Sequence, residues 1–289
     1  MHLLYLVFGN AAPNHFQAVF SMLSFLRQPE QLDSITVVTD APEFYRHMAD
    51  HVTVLPIEAA TIQEWRGEFD FFWRIKIKAL EYVHQRQPES AILYLDTDTF
   101  LHGSLAELRA RLASGTALMH EPEGALSQLA SKTEQRMWQQ VQQHTFGGVA
   151  MREDHQMWNA GVVGIPAGRA AEAIALALRI CDDLSRQGVT PRLIEQFALS
   201  VALEETGPLG AAAAHIGHYW STKTEWNSAI SAFLLESHLQ ERTVVEEVAA
   251  LADFDYRALP VKHRVRSTQG RLEKLVRRMF PPRQVTYIE

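Results

Sequence analysis

With 289 residues, 47% hydrophobic and 21% charged, the chain can bury the core of one large domain or two smaller ones, and its composition excludes wholesale disorder. Its single cysteine, Cys181, excludes an internal disulfide framework and a cysteine-built zinc site, which points to a reducing, cytoplasmic setting. The net charge of −7 conceals an asymmetry: residues 262–289 carry eight basic groups against Glu273 and Glu289, a net +6 that leaves −13 on the remainder.

A basic tail on an acidic body suggests an anionic surface as partner, either a membrane leaflet or an acidic polymer, which would place the protein peripherally on the inner leaflet. The plainer reading is a helix whose Leu272, Leu275, Val276 and Met279 dock on the body. No nucleic-acid partner is expected. The opening apolar run is too short to span a bilayer, and no small-residue cleavage site follows a basic start.

Leu3 to Phe8 reads as a buried strand running into the loop Gly9-Asn10-Ala11-Ala12-Pro13. Phe16, Val19, Phe20, Leu23 and Leu26 then recur at helical spacing. Ile35 to Asp40 is β-branched and stops at an acid, a short helical stretch follows Pro42, and Val52 to Ile57 offers a third strand. This alternation predicts an α/β fold: a mixed, mainly parallel sheet flanked by helices. Asp70 to Val83 reads as a helix with Ile75, Ala79, Tyr82 and Val83 on its apolar side, and Arg74, Lys76 and Lys78 as its basic positions.

Ala91 to Leu101 is an apolar run ending in Asp96-Thr97-Asp98. In a strand the two carboxylates would share a face at its carboxyl end, where open α/β sheets place ligands. Such a pair can seat a hard divalent cation carrying a phosphorylated ligand. A helix through Leu112 and a short strand at Ala117-Leu118-Met119 follow; residues 124–148 are polar and aperiodic, and read as a mobile excursion or a surface loop.

Trp158-Asn159-Ala160-Gly161 sets a side-chain amide and exposed backbone at a strand entry, though a tight turn whose Asn satisfies local backbone fits equally. In the helix Ala171 to Leu184, Cys181 falls on the buried face and reads as packing. Thr190-Pro191 predicts a capped helix start with Glu195 and Gln196 one turn in, able to bracket sugar hydroxyls or simply to face water. His215 to Asn227 is dense in groups that bind metals and phosphates: an imidazole can complete a Mn²⁺ shell begun by carboxylates, and a following lysine can neutralise a diphosphate.

Taken in order, Phe8-Gly9-Asn10, Leu-Tyr-Leu-Asp96-Thr97-Asp98, Trp-Asn159-Ala160-Gly161 and His218-Tyr219…Lys223…Trp226 resemble a GT-A fold glycosyltransferase, closest to the retaining family of bacterial lipopolysaccharide galactosyltransferases and glycogenin. The resemblance spans roughly residues 1–227 and implies a GT-A domain over 1–230, with 231–289 as a C-terminal helical, basic extension. It implies Mn²⁺ (or Mg²⁺) held by Asp96, Asp98 and His218, and a UDP-sugar donor whose diphosphate meets Lys223. It further implies a uridine cradle at Gly9 and Asn10, with Phe8 and Thr97 also among the donor-binding positions, and a basic position among Arg74, Lys76 and Lys78. Asn159, Ala160 and Gly161 would line the sugar, with Glu195 and Gln196 at the reacting centre and a glycan or glycolipid hydroxyl as acceptor. The chain departs from the family where Phe197 follows Gln196 in place of a second acid, and where the His-to-Lys interval is one residue short and lacks the usual glycine and Lys-Pro-Trp.

Asp96-Thr97-Asp98-Thr99 also fits haloacid-dehalogenase phosphatases, in which the first acid accepts the phosphoryl group; that reading needs a second acidic pair, for which Asp182-Asp183 is available. A nucleotide-sugar-binding protein without turnover is the non-enzymatic alternative. Phe233 to Leu251 reads as a helix, and the basic segment to Phe280 as a second one stopped by Pro281-Pro282.

Overall fold

The computed structural model describes residues 1–262 together with Leu272, Leu275, Val276 and 278–280. The first half runs β1 (His2–Val7), α1 (Ala12–Phe25), β2 (Ser34–Thr39), β3 (Thr53–Pro56), α2 (Ala59–Trp65), α3 (Arg74–His84), β4 (Ile92–Leu95), β5 (Thr99–Leu101), α4 (Leu105–Ala113) and β6 (Ala117–Met119). It continues with β7 (Pro122–Ala125), α5 (Lys132–Val141), β8 (Thr145–Phe146), β9 (Val149–Ala150), β10 (Gln156–Trp158) and β11 (Val162–Ile165). The last elements are α6 (Ala167–Arg186), α7 (Ile194–Glu205), β12 (Leu209–Ala211), β13 (Ile216–His218), α8 (Lys223–Leu239) and α9 (Val244–Ala250).

Seven strands form one mixed, mainly parallel sheet in the order β12-β6-β11-β4-β1-β2-β3, with β4 at its centre. Period-two alternation decides what each face buries. On β1, Leu4 and Leu6 enter the core under α3, α6 and α7, whereas Leu3, Tyr5 and Val7 enter the core under α1, α4 and α8. On β4, Ile92 and Tyr94 go one way, Leu93 and Leu95 the other. A strand buried on both faces must be continuously apolar, as these are.

Two pairings build the site. β11 runs antiparallel to β4, with Val162 opposite Leu95, so the entry of β11 lies beside the exit of β4. β13 runs antiparallel to β5, with His218 opposite Thr99, which delivers the imidazole next to Asp98.

Several expectations need correction. Residues 124–148 are largely ordered structure: Ser131 and Glu134 form a capping box that starts α5, whose Met137 and Val141 are buried one turn apart. Thr190 does not cap a helix; its hydroxyl donates to Gln140 Oε1 at 2.8 Å, a 3₁₀ turn at Pro191–Leu193 intervenes, and Glu195 sits in the first turn of α7. The helix expected over Phe233 to Leu251 is two: the chain turns at Glu241, with φ of 51°, and a Thr243–Glu246 capping box restarts it as α9. Position 230 lies inside α8, which is unbroken through it and whose Phe233 and Leu234 pack on the α1 side of the core. Leu272, Leu275, Val276, Met279 and Phe280 are exposed; the remainder of the expected C-terminal helix and its Pro281-Pro282 stop lie outside the described residues. Among the described residues no helix is long and apolar enough to cross a membrane.

Candidate functional site

Asp96 and Asp98 lie in the turn between β4 and β5, so a turn, and not strand alternation, points both carboxylates one way. The turn is pinned at three places: Thr99 Oγ1 donates to the Asp96 carbonyl at 2.8 Å, the Asp96 N–H donates to the Gly161 carbonyl at 2.8 Å, and the Tyr219 N–H donates to the Asp98 carbonyl at 3.0 Å. One ligand atom from each of Asp96, Asp98 and His218 lies within 4.8 Å of the other two.

Asn159 fixes which imidazole nitrogen faces the acids. Its Oδ1 accepts the Gly161 N–H at 3.1 Å, which settles the amide's orientation, and the same oxygen is 2.9 Å from His218 Nδ1. An oxygen can only accept, so Nδ1 carries a proton, and Nε2, 3.3 Å from Asp98 Oδ1, is the nitrogen turned toward the acids, where a cation would meet it. Gly161 must be glycine for this packing, because a Cβ there would stand 2.1 Å from His218 Cε1.

Asp98 is buried, and burial by itself would raise its pKa; the neighbouring His218 and Lys223 outweigh that and hold it well below the usual carboxylate range. Lys223 Nζ, at the first turn of α8, is 2.9 Å from Asp98 Oδ2.

Asp96 has a different setting. Its Oδ1 accepts from Tyr94 Oη at 2.9 Å and lies 3.2 Å from Lys76 Nζ. Lys76 is buried, donates to the Ala160 carbonyl at 3.1 Å, and pairs with Glu195 at 3.0 Å. Burial would lower the Lys76 pKa, but Asp96 and Glu195 together hold it above the usual lysine value. Burial raises the Glu195 pKa, with Lys76 opposing and Asp96 reinforcing the rise.

The three basic candidates on α3 therefore separate. Lys76 shares its helix stripe with Ala79, Leu80 and Val83, which carries it inward. Arg74 instead pairs with Asp182 of α6 at 2.6 Å, and Lys78 pairs with Glu81; neither lines the cleft. Phe8 lines the cleft and meets Phe72 edge-on at 5.3 Å. Gly9 and Asn10 do not: Gly9, at φ of +77°, donates its N–H to Asp40 and turns the chain away, and Asn14 of α1 lines the wall instead.

Ala160, Gly161, Thr97, Glu195 and Gln196 all line the cleft. Two residues that the sequence did not single out organise it. Glu123 of β7 accepts from Asn159 at 3.3 Å and from Gln196 at 2.9 Å, joining the strand entry to α7. Gln17 of α1 accepts from the Thr97 hydroxyl at 3.0 Å and donates to Asn227 of α8 at 2.6 Å, tying the acidic turn to two helices.

The cleft holds about 1080 Å³, and six carboxylates line it against four lysine and arginine side chains, an excess of two negative charges that one divalent cation would balance. Asp182 and Asp183 sit on α6 outside it, where Asp182 is engaged by Arg74 and Asp183 accepts the Gly147 N–H at 2.8 Å. Asp182-Asp183, the acidic pair available to the phosphatase reading, therefore does not serve the Asp96 turn.

No family model and no curated protein matches the chain. Among solved structures it is similar to mouse xyloside xylosyltransferase 1 in its apo form, at 14% identity and a TM-score of 0.45, over 73% of this chain and 84% of that one. It is also similar to the galactosyltransferase LgtC in complex with donor and acceptor sugar analogues, at 12% identity and a TM-score of 0.48, over 89% of this chain and 98% of that one.

Proposed function

We propose that the chain is a metal-dependent GT-A glycosyltransferase that moves a sugar from a UDP-sugar to a glycan, glycolipid or other hydroxyl acceptor with retention of configuration. The observation that carries this reading is the convergence of Asp96, Asp98 and an Nε2-exposing His218 at the head of the central strand, in a cleft with two uncompensated negative charges.

The donor set is hard oxygen plus one imidazole, which fits Mn²⁺ or Mg²⁺. A cation held there would neutralise diphosphate charge and so ease departure of the nucleotide. Lys223, exposed at its head, would turn from Asp98 to the diphosphate and stabilise the same developing charge. Lys76 keeps Asp96 and Glu195 in place. Gln196, held by Glu123, would meet the sugar beside Glu195. The basic segment 262–289 would hold the enzyme at an anionic leaflet if the acceptor is a glycolipid.

A panel of nucleotide sugars with and without Mn²⁺ tests the reading. Metal-dependent turnover of a UDP-sugar is expected, falling at least about 100-fold in Asp98→Ala while circular dichroism is unchanged. Unchanged turnover in that variant would sink the assignment. UDP binding without any turnover would favour a silent nucleotide-sugar-binding protein.

A further inference from the structure

Far from the cleft chemistry, two apolar stripes stand uncovered toward the end of the chain. On α8, Ala232, Leu235 and Leu239 recur at i, i+3 and i+7 and are exposed, Leu235 by 58% and Leu239 by 73%, while Phe233 and Leu234 pack on the core. α9 adds Val245, 67% exposed, and exposed Ala249 one turn on. The second stripe is Leu272, Leu275, Val276 and Met279, spaced i, i+3, i+4 and i+7, each helical and each exposed.

The two regions carry opposite charge. Residues 231–253 hold five acids against Arg242, a net −4, with Glu236, Glu241 and Glu246 exposed; residues 263–280 hold six basic groups against Glu273, a net +5. An apolar stripe rimmed by acids fits an amphipathic segment whose other positions are basic. They are also within reach. The Trp226 indole donates to the Pro260 carbonyl at 2.9 Å, and Lys262 pairs with Glu121 at 2.9 Å, so the chain leaves from a fixed point beside the start of α8. Leu239 lies 13 residues beyond Trp226 on the same helix, about 20 Å along its axis. The ten residues from Lys262 to Leu272 span up to about 33 Å, enough for the segment to lie back along α8. A tether this short sets an effective concentration on the order of millimolar, which favours the chain's own segment over that of a second copy.

We propose that the face formed by Leu235, Leu239 and Val245 is a docking site for the chain's own C-terminal segment, which lays Leu272, Leu275, Val276 and Met279 on it. The same four side chains cannot face a leaflet while so covered. The site therefore competes with any anionic surface for the segment.

Amide hydrogen exchange of the full chain, read by mass spectrometry over residues 272–279, tests the proposal without any transfer activity. A helix this short is marginal by itself, so slow exchange there reports docking. Exchange is expected to be at least about tenfold slower in the wild type than in Leu239→Asn or Leu235→Asn, neither of which alters the segment, while exchange in α1 and α6 stays the same. Glu241→Gln should give a smaller rise, about twofold, that added salt removes. Equal exchange in the wild type and Leu239→Asn overturns the proposal. So does protection that fades on dilution of the wild type, which would make a second copy the occupant, or protection that arises only with phosphatidylglycerol vesicles, which would make it a leaflet.

Discussion

The two carboxylates of the acidic turn are neutralised in opposite ways. Asp96 has 30% of its side chain exposed and its partner Lys76 only 7%, whereas Asp98 has 4% exposed and its partner Lys223 has 46%. On the first bank the cation is interior and the acid faces the cleft; on the second the acid is interior and the cation faces solvent. A buried ammonium bridging Asp96, Glu195 and the Ala160 carbonyl cannot leave without stranding two acids, so it is scaffold. A solvated lysine can exchange one anion for another at small cost, which suits a group that must meet a ligand.

The largest expected effect breaks this contrast directly. Lys76→Met should cost about 3–5 kcal/mol in urea unfolding, since it leaves buried charge unpaired. Lys223→Met, which leaves buried Asp98 with His218 as its neighbour, should cost less stability than Lys76→Met yet weaken UDP binding at least about tenfold. Equal stability losses from the two variants would erase the distinction. Next in size, Gly161→Ala must displace the His218 ring, for about 1–3 kcal/mol of destabilisation together with loss of metal affinity by isothermal titration.

Asn159→Leu leaves Nδ1 of His218 without its acceptor and should lower metal affinity about 10–100-fold. Retention of wild-type affinity in that variant would show that the tautomer is set elsewhere.

The smallest effect lies at the far end of the sheet. Burial lowers the His2 pKa from 6.5 to about 4, so between those values the unfolded chain binds the proton and the folded chain does not. Stability is therefore full above about 6.5 and erodes as pH falls toward 4. The Tm should drop from pH 7 to pH 5, and less steeply in His2→Asn. Asp98, held charged by its neighbours, should not contribute to that slope.

What the sequence made legible was whatever depends on strand order and local chemistry. Apolar runs ending at Asp96 and beginning after Gly161, with an imidazole at 218, were enough to bring the cluster of Asp96, Asp98 and His218 into view. Side chains whose role depends on which way a helix is turned were harder. Arg74, Lys76 and Lys78 are chemically alike, and a lysine is ordinarily solvated; only its place in register with Ala79, Leu80 and Val83 marks Lys76 as interior. Glu123 and Gln17 gave no local signal, because each acts through partners 36 to 210 positions away. The α5 helix, by contrast, carried a Ser-x-x-Glu start that polar composition obscured.

The most direct measurement is Mn²⁺ titration followed by electron paramagnetic resonance, with UDP present, on the wild type and His218→Ala. One Mn²⁺ per chain is expected to bind the wild type, with affinity lower by at least about tenfold in the variant, whose far-ultraviolet spectrum is unchanged. Equal Mn²⁺ affinity in the two proteins would contradict the assignment of Asp96, Asp98 and His218 as one cation seat.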